Sequence, residues 1–182
     1  AFGYDHVVEG WRAAGTEISF FSPLAGEAPD FTADSIYLPG GYPELHAERL
    51  ATNESFISAM KMAAAKDAVI YGECGGFMVL GETLTDRDGK PHEMLGLLPV
   101  ETSFATPKLH LGYRQLALSN DGPLGATGAH FKGHEFHYCE MTAMTGGEAL
   151  FNAQDARGNN LLPLGCRVGS VFGSFAHVID GA

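Results

Sequence analysis

The chain has 182 residues, of which 45% are hydrophobic, 10% aromatic and 18% charged: enough apolar material for one domain with its own core, and too much for a disordered chain. Its 11 basic and 22 acidic residues give a formal charge of −11, which argues against nucleic acid and anionic membrane as partners, because both are recognised by clustered Lys and Arg. No apolar run would span a bilayer, residues 1–10 carry Asp5 and Glu9 in place of a basic signal-peptide start, and three cysteines without a CxxC pair fit a reducing, cytoplasmic setting.

Tyr4, Val7, Val8, Trp11 and Ala14 share one face of a first helix, with Gly15 as its C-cap. Residues 17–21 read as a strand stopped by Pro23, and residues 35–38 as a second strand running into Pro39-Gly40-Gly41. Pro43 opens a helix that reaches about Leu50. Asn53 caps the next helix, with Phe56, Ile57, Met60 and Ala64 turned inward. Residues 68–71 form a wholly apolar strand, as a buried parallel sheet requires, and a turn over 72–76 leads into a short helix. Beyond Gly81 the texture changes. Asp86-Arg87-Asp88-Gly89 and Asn120-Asp121-Gly122-Pro123 are turns between strands, and Gly128, Gly133, Gly158 and Gly165 punctuate short β segments. Residues 1–182 therefore predict one α/β domain whose second half is an appended antiparallel β region.

The strongest chemical signal is Val69-Ile70-Tyr71-Gly72-Glu73-Cys74-Gly75-Gly76-Phe77-Met78, an apolar strand ending in Gly-x-Cys-x-Gly before a helix. This is the layout of a nucleophile elbow, with Cys in the place of Ser. Flanking glycines permit a tight turn, the helix N-terminus is expected to lower the thiol pKa, and the Gly75 amide can face a developing oxyanion. The plainer reading is a buried cysteine in a glycine-rich turn. Cys139 and Cys166 lack such a setting and read as structural.

Tyr37-Leu38-Pro39-Gly40-Gly41-Tyr42-Pro43 follows another strand. If the two strands are neighbours, the Gly40 and Gly41 amides supply a second oxyanion donor at the carboxyl end of the sheet; otherwise the loop is a simple connector. A cysteine nucleophile needs a base. Among eight histidines, His177 is the candidate, since it follows the apolar stretch 168–175; an exposed C-terminal histidine fits that position equally well. His130, His134, His137 and Cys139 suggest zinc by type, but strand alternation splits them. On a strand over 133–141, His134, Phe136 and Tyr138 face one way, and Glu135, His137 and Cys139 the other, so no metal site is expected.

The Cys74 segment through Gly81, the Tyr37 segment through His46, and Gly133-His134-Glu135-Phe136-His137-Tyr138 together resemble the glutaminase domain of the cobyrinic acid a,c-diamide synthases. Phe20-Phe21-Ser22-Pro23-Leu24 and Leu95-Gly96-Leu97-Leu98-Pro99 extend the resemblance over nearly the whole chain. It implies a flavodoxin-like class I glutamine amidotransferase fold: a mainly parallel sheet with helices on both faces, followed by the β-rich half. It implies glutamine as substrate, Cys74 as nucleophile, His177 as the proton carrier, and Gly41 and Gly75 at the oxyanion. Ammonia would pass to an ATP-activated carboxylate of a corrin. ATP and Mg would bind an N-terminal synthetase domain of the same polypeptide, and no cofactor is expected in these residues. The resemblance leaves a homodimer open.

The sequence departs from the family pattern in places. It has no Gly-x-x-x-x-Gly-Lys-Ser/Thr phosphate loop, and the strand that usually precedes the first helix is not seen, so a piece of a longer polypeptide is expected. Met78 stands where many class I members have Gln, and Ile179 where they usually have Glu two residues after the histidine. A Cys–His dyad is therefore expected, its imidazole oriented by a backbone carbonyl, a water or a more distant carboxylate. Alternatives are a diamide synthase for another tetrapyrrole, a different cysteine hydrolase of this fold, and an inactive binding domain.

Overall fold

The computed structural model describes residues 5–181. In chain order the helices are α1 (Asp5–Ala13), α2 (Ala47–Ala51), α3 (Glu54–Ala65) and α4 (Gly75–Leu80). The strands are β1 (Ser35–Leu38), β2 (Val69–Glu73), β3 (Thr83–Thr85), β4 (Pro91–Glu93), β5 (Val100–Ser103), β6 (His110–Leu118), β7 (His130–His137), β8 (Glu140–Met144), β9 (Phe151–Asp155), β10 (Cys166–Val168), β11 (Val171–Ser174) and β12 (Ala176–Gly181). Helix and strand alternate up to α4, and β structure follows, as the sequence texture predicts.

Three four-stranded sheets result, ordered β1-β2-β11-β10, β12-β7-β6-β9 and β4-β3-β5-β8. In the first, β1, β2 and β11 run parallel and β10 antiparallel. The second is wholly antiparallel. Parallel pairing thus belongs to the first sheet, with β3–β5 in the third as the other instance among the described residues.

Strand alternation divides β2 between two cores. Ile70, fully buried, joins the cluster built by Phe56, Met60, Phe77 and Leu80 from the helices. Val69 and Tyr71 pack the other way, with Leu116, Phe151 and Phe172, against the second sheet. On that side Tyr37, Tyr71 and Phe172 are registered across β1, β2 and β11 and stack at centroid separations of 5.7 and 5.1 Å. Full burial of Phe56 and Met60 contributes about 1.5–3 kcal/mol each.

Helix α3 begins where predicted. Asn53 Oδ1 accepts from the Phe56 amide at 3.1 Å, while its Nδ2 donates to the Pro23 carbonyl at 2.8 Å, so one side chain caps the helix and anchors the loop before it. The hairpin at Asp86–Gly89 also forms, with Asp86 Oδ1 accepting from the Asp88 and Lys90 amides and Gly89 at φ 79°.

Four expectations change. Residues 17–21 form no strand and join no sheet: β1 is the sheet's edge, and Phe20 is 73% exposed. The helix expected from Pro43 is broken at His46 into a 3-10 turn, Pro43–Leu45, and α2. The apolar face of α1 is not buried; Val7 and Trp11 instead border a hollow of about 320 Å³ with Tyr37, Tyr71 and Glu73, and Tyr4 lies outside the described residues. Gly133 does not end a strand but sits within β7, where a methyl group would fall 2.5 Å from the His177 carbonyl oxygen; there it lets β12 approach. Among the described residues no helix is long and apolar enough to cross a membrane.

The tightest backbone approach is at Gly76, where a methyl group would fall 2.0 Å from the Leu38 carbonyl oxygen and 2.6 Å from its carbon. Two backbones meet there, and neither can rotate aside. Gly76→Ala should destabilise the chain by about 1–3 kcal/mol or more, read as a lower urea midpoint. An unchanged midpoint would show that α4 is free to shift off β1.

Candidate active site

Strand β2 delivers Gly72 and Glu73 to its carboxyl end, and the chain reverses into α4 through Cys74. Cys74 has φ 48° and ψ −103°, a strained conformation for a residue with a side chain. Two hydrogen bonds fix it: its amide donates to the Ser174 carbonyl at 2.8 Å, and its carbonyl accepts from the Met78 amide at 3.1 Å. The strand–turn–helix elbow anticipated from Gly-x-Cys-x-Gly is therefore present, with its strain held by β11 on one side and α4 on the other.

His177 reaches the same place by a change of sheets. Ser174, the last residue of β11, is registered against Glu73 in the first sheet. After Phe175, Ala176 and His177 pair with Glu135 and His134 in the second. The two sheets therefore part directly beside the Cys74 turn, and His177 is buried in the cleft at 4% exposure. Gly40 lies between the two side chains: a methyl group there would fall 2.7 Å from His177 Cε1, 3.5 Å from Nε2 and 3.7 Å from Cys74 Cβ. The glycine loops also touch. A methyl group on Gly75 would fall 2.8 Å from the Gly41 nitrogen. Cys74, His177, Gly41 and Gly75, named from widely separated segments, are brought together.

The electrostatics differ from expectation. Burial pushes the Cys74 thiol up to about 12; the Gly75 amide lowers it, but Glu73, Glu44 and Glu135 raise it further. The short helix α4 does not overcome removal from water, so the cysteine rests as a thiol. Burial also pushes His177 down to about 4, aided by His134 and His137, and the His134 ring stacks on it at 4.9 Å. The imidazole therefore rests neutral, able to accept a proton.

Sequence reasoning missed Glu73. This carboxylate, 2% exposed, accepts from the Tyr37 hydroxyl (2.7 Å), the Tyr71 hydroxyl (2.8 Å) and the Val178 amide (3.0 Å). Its Oε2 lies 3.6 Å from His177 Nδ1. Burial raises the Glu73 pKa, while the two tyrosines and the Val178 amide pull against that shift. Burial and the Glu73 charge push Tyr71 well above the usual tyrosine range, so it stays a donor. The available signal was a carboxylate closing an otherwise apolar buried strand. Ile179 and Asp180, beside a register shift in β12, are both exposed. Met78 is buried in the helical core.

The histidine group near β7 divides as alternation predicts: Glu135, His137 and Cys139 are buried, while Phe136 and Tyr138 are exposed on the opposite side. The strand itself stops at His137, two residues before Cys139. Burial alone would raise Glu135, but hydrogen bonding to His137 and the Arg114 guanidinium hold it below the usual range. His137 Nδ1 pairs with the Cys139 carbonyl at 2.9 Å, and its ring lies against His110 and Phe175. These groups engage one another. Glu44, in the 3-10 turn after Gly41, is also buried; desolvation raises its pKa, and its Oε2 has no hydrogen-bond partner among the described residues.

The profile of the CobB/CobQ-like glutamine amidotransferase domain family matches residues 8–181. The chain belongs to that family. It is 58% identical to hydrogenobyrinate a,c-diamide synthase of Brucella abortus and 52% identical to that of Rhizobium meliloti, in each case over 99% of this chain. It spans 41% of the length of these relatives. A solved glutamine amidotransferase superimposes with a TM-score of 0.60 at 17% identity, covering 95% of this chain and 84% of that one. A glutamine amidotransferase from Thermotoga maritima gives 0.59 at 14% identity, covering 94% and 68%. At these identities the likeness shows the fold, and it agrees with the amidotransferase fold implied by the sequence motifs.

A neutral resting pair has a measurable consequence for this amidotransferase domain. With the thiol near about 12, alkylation of Cys74 by iodoacetamide, followed by peptide mass spectrometry, should keep accelerating above pH 9. A plateau reached below pH 8 would show a preformed thiolate–imidazolium pair. His177 gives a second test through folding. Its folded pKa of about 4 lies below the ordinary 6.5, so the stability tied to its neutral form is present above 6.5 and lost as pH falls toward 4. His177→Gln should flatten the fall in urea midpoint across that window; an unchanged slope would assign the acid sensitivity elsewhere.

Proposed function

We propose that this domain hydrolyses glutamine through Cys74 and supplies the ammonia to a synthetase domain of the same polypeptide. The observation that carries this reading is the strained Cys74 elbow meeting His177 across Gly40, with the Gly41 and Gly75 backbones in contact beside it.

His177 Nε2 takes the thiol proton as sulfur attacks the side-chain amide carbon of glutamine. Because both groups rest neutral, transfer and attack proceed together. The Gly41 and Gly75 amides stabilise the tetrahedral oxyanion. His177 then protonates the departing nitrogen, leaving ammonia and a glutamyl thioester. Water, deprotonated by the same imidazole, releases glutamate and restores the thiol. Glu44 is suited to the α-ammonium of glutamine, since an ammonium would satisfy its unpaired buried oxygen. Hydrolysis needs no metal or cofactor in this scheme; ATP and Mg serve the synthetase domain, where a carboxylate is activated.

The relatives' name supports the a and c carboxylates of hydrogenobyrinate as acceptors among the tetrapyrroles that the sequence left open, within cobalamin biosynthesis. Three free cysteines, all buried, are consistent with a reducing compartment.

The test is the full-length enzyme assayed with glutamine and with ammonium salt. Cys74→Ser should abolish glutamine-dependent amidation while ammonia-dependent amidation continues, and His177→Ala should cut the glutamine rate by about 100-fold or more. Asp180→Ala should cost less than about tenfold, because this side chain is exposed. Glutamine use retained by Cys74→Ser would overturn the reading.

A further inference from the structure

We propose that Glu73 is the positioning residue for His177, so that the carboxylate adjoining the nucleophile orients the base. The inference rests on the function proposed above and adds a third member to its Cys–His pair.

The geometry has two ends. On one, the Cε1–Nε2 edge of His177 faces Gly40, whose other neighbour is Cys74. On the other, Nδ1 lies 3.6 Å from Glu73 Oε2. That separation is within ion-pair reach and longer than a hydrogen bond; it can shorten when the ring takes the thiol proton. A carboxylate on the Nδ1 side favours the tautomer with hydrogen on Nδ1, which leaves the Nε2 lone pair for the thiol.

Three further facts separate this role from simple proximity. Glu73 is held by donors from three strands: Tyr37 on β1, Tyr71 on β2 and the Val178 amide on β12. The last of these ties the carboxylate to the backbone directly after His177. Against the burial that raises the Glu73 pKa, these donors favour the ionised form, the form that can stabilise an imidazolium. Finally, the acids nearest His177 on β7 and β12 are engaged or exposed: Glu135 binds Arg114 and His137, and Asp180 is exposed, while Glu44 is the acid proposed above for the α-ammonium of glutamine.

Charge and packing make opposite predictions about substitution here. Gln copies the shape of Glu and loses the charge, whereas Asp keeps the charge and loses a methylene. In the full-length enzyme, Glu73→Gln should lower kcat for glutamine-dependent amidation by about 100-fold or more, with KM for glutamine within about threefold. Glu73→Asp should retain more kcat than Glu73→Gln. Ammonia-dependent amidation and the thermal midpoint should stay near wild type for at least one of the two variants. Cys74→Ser, assayed in parallel, distinguishes the two levels of the argument. If it keeps glutamine use, the proposed function fails first. If it is inactive while Glu73→Gln keeps kcat within about threefold of wild type, the Glu73 role alone is overturned. A Gln variant better than the Asp variant, or equal losses with glutamine and ammonia in both, would make Glu73 a packing element and overturn the role as well.

Discussion

The structure turns on one buried carboxylate. Glu73 sits where the parallel sheet ends and the antiparallel sheet begins, and it binds both: Tyr37 and Tyr71 hold it from the first, and the Val178 amide from the second. A carboxylate taken out of water is strongly destabilising unless its lone pairs are occupied. Its three donors can be gathered only when β1, β2 and β12 are all in register. Satisfying Glu73 therefore specifies how the two sheets meet, and their meeting sets His177 beside Cys74.

The same burial governs the chemistry. With the thiol pushed up to about 12 and the imidazole pushed down to about 4, the pair favours its neutral form at rest. Reaction requires that negative charge be received elsewhere as it leaves sulfur. The contact between the Gly41 and Gly75 backbones bears on this directly. One amide follows Cys74 and one follows the neighbouring strand β1, so the proposed oxyanion donors come from two elements whose spacing is fixed by sheet pairing.

Much of this was legible in the sequence, and the reasons differ by residue. The Cys74 elbow was readable because glycine spacing, an apolar strand and a following helix are all local. Asn53 and the Asp86–Gly89 turn were readable for the same reason. Alternation along residues 133–139 was read correctly because period two needs no partner. Residues 17–21 failed because a strand also needs an edge to pair with, which no local pattern reports. The pKa of Cys74 was misjudged because the helix N-terminus is visible in sequence while burial at 6% exposure is not. Glu73 was not legible as the distant carboxylate beside His177, because no local pattern reports a contact that spans more than 100 positions.

That last miss contains a structural principle for the site. Successive residues of a strand point to opposite faces. At the end of β2, Glu73 continues the side of Tyr71 and Val69 toward the second sheet, while the reversal at Cys74 brings its Cβ beside Gly40. One strand terminus thus presents a carboxylate and a thiol in different directions, and His177, arriving from β12, contacts the surroundings of both. On the proposed role of Glu73 a carboxylate after the histidine is unnecessary, and Ile179, which cannot accept a hydrogen bond, is 41% exposed just past His177. It also couples the strained φ of Cys74 to the histidine's support. Any movement of β2 along β11 would break the Cys74–Ser174 hydrogen bond and the Glu73–Val178 hydrogen bond together. His177 therefore stands beside Cys74 only when the two sheets are docked, whereas the Cys74 turn and the Gly41 and Gly75 loops belong to the first sheet alone.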